Sequence, residues 1–414
     1  MKTFKIIPLF FFILLSCSSE DTSIAELPDA EPIVMKAQFE NKLKNNNTFA
    51  IDLFKATYKN QDETNLFISP LSVDMALGMT WNGAAGETKT EMQAALRNQG
   101  YTPEDINEYA KTLREALINV DPSTKLTIAN SIWYRSDFNV EQSFIDVNKA
   151  NYNAEVKALD FTSPNAVKEI NNWCSTNTNN KIPTILDFIS PDDVMYLINA
   201  IYFKGIWKYQ FEIKDTQDLP FTKENGTTQN VKMMRQTENL SYSADENARY
   251  LEMPYGNKAF SMIIALPQPE KELKDIIQNM TSDSWDDATK NMQPTSINLQ
   301  LPRFKLACEY KMQGSILPDM GMKLAFDDDL ANFTGINKGG NLYISSVIHK
   351  TFVEVNEEGT EAAAVTAVEV VSTSIGPTTP IPTDFFVNQP FLFAIRENST
   401  GVILFIGKIG EIPE

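Results

Sequence analysis

The sequence predicts an α+β fold with large antiparallel sheets. Helical periodicity is concentrated in the N-terminal third, period-two alternation dominates later, and the two do not alternate in regular βαβ units. A chain of 414 residues that is 43% hydrophobic can bury a large core, and no internal repeat or second linker divides it. One large domain over 39–414 is therefore expected, behind a short appendage.

The appendage comes first. Lys2 and Lys5 precede an apolar run over 6–15, which is too short to span a bilayer at roughly 20 residues per crossing. It reads as a signal peptide over 1–16. The sequence Leu14-Leu15-Ser16-Cys17 resembles a bacterial lipobox, in which Cys17 becomes the lipidated first residue of the mature chain. A plain signal peptide ending near a cysteine is the alternative. Residues 17–38 are polar and acidic with Pro28 and Pro32, and lack an amphipathic period. They are expected to be a flexible tether, which places the protein on the outer membrane, facing the periplasm or the cell surface.

Helices are expected over 36–59, over 70–83 with Pro70 in the first turn, over 87–96 and over 103–117. Strands follow over 126–134 and 249–266, the latter folded at Gly256-Asn257. The stretches 342–354 and 390–409 are also strand-like, with a turn at 398–401.

Composition excludes several functions. A formal net charge of −18 disfavours nucleic acid as a partner. Cys17, Cys174 and Cys308 lie far apart without a CxxC pair, so neither a metal site nor a disulfide framework is indicated, and Cys174 and Cys308 read as buried free thiols. No cofactor motif appears. His349, the only histidine, sits in a strand-like run and reads as a satisfied buried side chain rather than a general base. The acid clusters at 192–193 and 327–329 read as solvated surface, and nothing selects a catalytic pair.

The informative stretch is 358–374, EGTEAAAVTAVEVVSTS, a run of small and β-branched residues without Lys, Arg or a large aromatic. Thr360, Ala362, Ala364, Thr366, Val368 and Val370 share one strand face, while Glu361 and Glu369 lie on the other. Such a segment could enter a sheet with a clean inner face. Pro377, Pro380 and Pro382 then keep the chain irregular. An ordinary half-buried strand followed by a loop fits the same parity.

Four separated motifs resemble the serpin family, and the likeness runs from about residue 39 to 412. They are NLFISPLS at 65–72, NAIYFKGIW at 199–207, EEGTEAAA at 357–364, and PFLFAIR at 390–396 with the glycines at 401 and 407. The resemblance implies three sheets and about nine helices, with 360–384 exposed as a reactive loop. It implies a hinge at Glu357, Gly359, Thr360, Ala362, Ala363 and Ala364. It assigns Ser69, Ser72, Asn199 and His349 to a polar shutter under the central sheet, with amide and hydroxyl groups as partners for the imidazole. Trp207 falls near the top of that sheet, where the loop first enters, or in plain core packing.

The function implied is suicide inhibition of proteases by a monomer that is not an enzyme and needs no cofactor. A non-inhibitory serpin acting as a binding protein is the alternative. Counting from Glu357 by the family's usual spacing puts the residue before the cut at Thr373, followed by Ser374; a hinge one residue shorter gives Ser372. No basic residue occurs over 360–389, whereas Val370, Val371, Ser372, Thr373 and Ile375 suit elastase-like or subtilisin-like serine proteases and extend to papain-like cysteine proteases.

Overall fold

Proline at the first turn and a serine cap fix where the second helix begins. Ser69 is extended, its side chain accepts from the Ser72 N–H, and Pro70 occupies a position whose N–H would have no helical partner. The helix runs Pro70–Trp81, two residues short of the expected end. In the computed structural model, which describes residues 28–190, 192–360 and 381–413, the other early helices are Glu40–Asn60, Gly86–Ala95 and Pro103–Asn119, close to expectation. There are nine α-helices among the described residues.

The strands form two groups. A nine-stranded sheet includes the two strands of the C-terminal hairpin, Phe391–Glu397 and Ile403–Ile409, every residue of which is buried. Its turn falls where the sequence puts it, because the Glu397 carboxylate accepts from the N–H groups of Ser399 and Thr400. The three expected sheets appear as two groups because Thr228–Ala244 runs on from one sheet into the next, pairing with Gln217–Thr222, Gln293–Pro302 and Ala248–Pro254 in turn.

The second group has six strands in the order Phe304–Lys311, Ile348–Val355, Gly359–Thr360, Met195–Ile206, Lys125–Arg135 and Glu155–Leu159. The strand expected over 342–354 is shorter, beginning at Ile348. Residues 342–347 carry no ladder; Tyr343 is exposed, and the backbone there is held at separate points, by the Ile344 N–H to the Ala325 carbonyl and by the Met312 N–H to the Val347 carbonyl.

Two ends of the chain differ from expectation. Residues 28–36, expected in the flexible tether, lie against the body, the Ala30 N–H donating to the Asn257 carbonyl at 2.8 Å. The loop expected to be exposed over 360–384 is shorter at both ends. Thr360 is 3% exposed inside the sheet, and Thr383–Phe386 forms a strand parallel to residues 297–300. Residues 1–27, including Cys17, and residues 361–380, including Thr373 and Ser374, lie outside the described residues.

Candidate functional site: a split sheet and its entry

Strands Met195–Ile206 and Ile348–Val355 run in the same direction, each paired on its outer edge, with Lys125–Arg135 and Phe304–Lys311 respectively. Between their ends the chain turns back as Gly359–Thr360. Thr360 stands opposite Gly205 on one side and Val355 on the other, antiparallel to both. Below that point no strand among the described residues pairs with the facing edges of residues 195–204 and 348–354. Among the described residues, the two halves of the sheet are joined at its top by Gly359–Thr360 alone. Unpaired strand edges in a protein interior cost free energy unless something pairs with them.

The entry is built from close packing. A Cβ on Gly359 would lie 2.1 Å from the Gly205 carbonyl oxygen, so only glycine lets the chain reverse here. Thr360 Oγ1 lies 2.5 Å from the Tyr255 hydroxyl, and burial pushes that phenol far above its ordinary pKa, so it stays protonated. Trp207 stacks on Tyr255 with centroids 4.3 Å apart. Its backbone N–H donates to the Glu358 carbonyl at 2.8 Å, and its Nε1–H donates to the Asn356 carbonyl at 2.9 Å. Glu357 is buried; it accepts from Arg303 Nε at 2.7 Å and from the Thr216 hydroxyl, while its own carbonyl accepts from the Phe211 N–H at 2.9 Å. Three successive carbonyls, 356 to 358, are thus held by the segment after the strand. Tyr255, Arg303, Thr216 and Asn356 escape sequence reasoning, since no local pattern marks them as partners of the hinge.

Lower down, Ser72, Asn199 and His349 line a cavity of about 530 Å³ between helix Pro70–Trp81 and the two strand edges, with Phe188 and Tyr343 exposed at its rim. The structure joins Ser69, Ser72 and His349 but keeps Asn199 apart. His349 Nε2 accepts from the Ser69 backbone N–H at 2.9 Å, rather than from a hydroxyl or amide side chain, which leaves the ring proton on Nδ1. Ser69 Oγ donates to the Leu404 carbonyl and accepts from the Ser72 N–H. Asn199 donates to Asn130 Oδ1 at 2.8 Å, and its own buried Oδ1 has no partner among the described residues.

Burial holds the His349 pKa down at about 3, against an ordinary 6.5. The folded protein therefore keeps the ring neutral where the unfolded chain binds a proton. The stability this contributes is present above pH 6.5 and is lost as pH falls toward 3. Between about pH 7.5 and about pH 5.5 the loss is roughly 1.4 kcal/mol. Because His349 is the only histidine, urea midpoints of wild type and His349→Gln at those two pH values isolate it. The midpoint of the wild type is expected to drop more than that of the variant, and equal drops would contradict the buried neutral ring.

Cys174 and Cys308 are free; the first is buried and the second half-buried, and burial pushes the Cys174 thiol up to about 12. That leaves it inert as a nucleophile at neutral pH.

A sheet divided between two parallel strands, with the chain folding back into the top of the division, is the architecture that the described residues define. Comparison with known proteins gives the family. The family described as "Serpin (serine protease inhibitor)" matches residues 44–412. A leukocyte elastase inhibitor of Xenopus laevis is 38% identical over 371 residues, covering 87% of this chain and 96% of the relative. Among solved structures, the thermophilic serpin tengpin in its native state matches with TM-score 0.82 and 37% identity, over 93% of this chain and 97% of that one. Human thyroxine-binding globulin complexed with thyroxine matches with TM-score 0.81 and 29% identity, over 91% of this chain and all of the other. The chain belongs to the serpin family.

Proposed function

We propose that this serpin is a single-use protease inhibitor whose bait is the loop after Thr360. The observation that carries the reading is the strand Gly359–Thr360 between two parallel strands. Continuing its antiparallel register sets Ala362 opposite Phe203 and Val353, Ala364 opposite Ile201 and Thr351, and Thr366 opposite Asn199 and His349. The inward face is then small throughout, and the Thr366 hydroxyl arrives beside the unpartnered Asn199 Oδ1.

A serine protease attacks the carbonyl carbon of Thr373, or of Ser372 in the shorter register. An ester forms to the enzyme and the amine of the next residue leaves. The freed loop enters the sheet, gaining backbone hydrogen bonds worth roughly 1 kcal/mol each and burying apolar area at roughly 25 cal/mol per Å². If insertion outruns hydrolysis of the ester, the protease is carried off and deformed while still attached. Elastase-like and subtilisin-like enzymes fit Val370, Val371, Ser372, Thr373 and Ile375, and papain-like enzymes form the corresponding thioester.

The test is a protease panel. Elastase and subtilisin are expected to give an SDS-stable adduct, with a released peptide beginning at Ser374 or Thr373, and trypsin none, since no Lys or Arg lies over 360–389. No adduct with any protease, only clean cleavage, would favour the carrier reading that the likeness to thyroxine-binding globulin keeps in view.

We further propose that the lipobox-like Leu14-Leu15-Ser16-Cys17 makes Cys17 the lipidated mature N-terminus and so anchors the protein to a membrane. Cys17→Ala is expected to move the protein from the membrane to the soluble fraction with adduct formation intact. Retention of the variant on the membrane would count against lipidation.

A further inference from the structure

The cavity below the split is lined in two zones, one apolar and one polar. It reaches through the gap in the sheet, since Leu197 and Asn199 on one face of their strand and Tyr196 and Ile198 on the other all border it. Its apolar wall is made by Leu77, Phe333, Ile336, Leu197 and Ile344, together with Ala76. Ala76 and Asp74 are the two residues of helix Pro70–Trp81 that are not buried, and at Ala76 the hollow is what leaves the methyl group uncovered. At about 530 Å³ the space has the size of a small-molecule site, not of a packing defect.

Two polar groups that line it are left open. Asn199 Oδ1 is a buried acceptor without a partner among the described residues. His349 is 5% exposed; its Nε2 is taken by the Ser69 N–H, so Nδ1 carries the proton, and that N–H has no acceptor among the described residues. The register continued from Thr360 sets Asn199 and His349 at one level on facing strands, with the width of a strand between them, so they cannot satisfy each other. A hydroxyl satisfies both, donating to Asn199 and accepting from His349. A carboxylate has no proton for Asn199, and an ammonium has no lone pair for His349.

The mouth selects against negative charge. Asp187, Asp192, Asp193 and Glu309 line the cavity against Lys311 and Lys350, and Lys350 is already paired with Glu309 at 3.0 Å. Asp193 accepts from the Tyr196 hydroxyl and the Ser190 N–H, while Asp187 and Asp192 are exposed and have no partner among the described residues. The excess of carboxylates repels anionic amphiphiles. Phe188 and Tyr343, exposed at the rim, extend the apolar surface outward.

We infer that this cavity is a binding site for an uncharged amphiphile, an alcohol or phenol whose hydroxyl seats between Asn199 and His349 and whose hydrocarbon body runs past Ala76 toward Phe188 and Tyr343. Binding stands on the geometry alone. Its consequence rests on the inhibitory reading given above: the ligand hydroxyl takes the place that Thr366 reaches on insertion, so the ligand has to leave before the loop passes that level. Occupancy therefore slows insertion and turns the inhibitor toward substrate, which makes trapping responsive to a lipid-like small molecule.

The test uses the full chain with n-decanol as probe, and decanoate and decylamine as its charged counterparts of equal length. Because His349 is the only histidine, its ring resonances report on the site directly. Decanol is expected to shift them saturably, and each charged counterpart to bind roughly tenfold more weakly or worse. An unmoved ring with all three, or equal affinity for decanol and decanoate, would overturn the site. Ala76→Phe fills the hollow and is expected to abolish the shift; an unchanged shift would overturn the placement. If that variant does not fold, Asn199→Leu removes the acceptor and is expected to weaken decanol roughly tenfold while leaving decanoate as it was, and wild-type affinity for decanol would overturn the hydroxyl seat. With elastase or subtilisin, saturating decanol is expected to raise the inhibitor consumed per trapped protease roughly threefold or more in wild type but not in Ala76→Phe, which controls for any effect on the protease. An equal rise in both, or no rise in wild type whose ring signal has shifted, would overturn the regulatory step. Should wild type form no adduct without decanol, the inhibitory reading fails, and the ring shift alone then judges the site.

Discussion

Thr360→Arg should turn the inhibitor into a substrate. Thr360 fills a closed site under the sheet, with its hydroxyl on Tyr255 and Gly205 opposite. Even a Cβ on Gly205 would come within 2.7 Å of the Tyr255 ring, so there is no room for a longer side chain at this level. A guanidinium there is an unpaired buried charge costing several kcal/mol, and the hinge must leave the sheet to avoid it. Trapping is a race between insertion and ester hydrolysis, so each 1.4 kcal/mol or so added to the insertion barrier slows insertion about tenfold. The variant is expected to be cut at the wild-type bond, with the inhibitor consumed per trapped protease rising roughly tenfold or more. Thr360→Ser, which keeps the hydroxyl beside Tyr255, should stay near wild type. Glu361→Arg, on the outward face by sequence parity, should change trapping far less. Equal adduct yield from Thr360→Arg and wild type would refute inward insertion at this position, and so would a larger loss from the Glu361 change.

The sequence revealed local features and missed distant ones for a physical reason. Pro70 after Ser69, the Gly256-Asn257 turn and the 398–401 turn follow from conformational rules that act over a few residues, and each falls where it was expected. Parity along 360–370 assigned Thr360 its inward face. It could not say that Thr360 is already inside, because that depends on Gly205 and Tyr255, the latter 105 residues away in sequence. Residues 342–347 have strand-like composition but lie along the cavity rim without a neighbouring edge, so propensity there had nothing to pair with. The Arg303 to Glu357 contact spans 54 residues and the Asp29 to Lys258 contact 229, and neither leaves a periodic trace. Motif likeness named the hinge and shutter residues. It did not supply the Ser69 backbone N–H as the partner of His349, or Asn130 as the partner of Asn199.

Glu357→Lys is expected to loosen the hinge before any protease arrives, and a charge swap should repair much of the damage. The Glu357 side chain is 5% exposed and pairs with Arg303, whose side chain is 39% exposed. Breaking a fully buried pair costs about 3–5 kcal/mol, and the partial solvation of Arg303 lowers this to about 2–3 kcal/mol. At roughly 2.1 cal/mol/K of unfolding entropy per residue, a chain this long loses a little over 1 °C of Tm per kcal/mol, so a fall of roughly 3 °C is expected. Lysine at 357 also sets two cations side by side, which pushes the 356–358 segment away from Trp207 and Phe211 and so withdraws the backbone hydrogen bonds that hold the hinge. Unlike Thr360→Arg, this change puts no charge in the path of the loop, so its larger effect falls on native stability and its smaller effect on trapping. Combining Glu357→Lys with Arg303→Glu recreates the pair in reverse and should recover at least half of the lost Tm. Arg303→Glu alone sets two carboxylates together and should be destabilising by itself, so recovery in the double variant can come only from the pair. A double variant no more stable than Glu357→Lys would mean that the contact is incidental and that the hinge is held by its backbone bonds to the 207–211 segment alone.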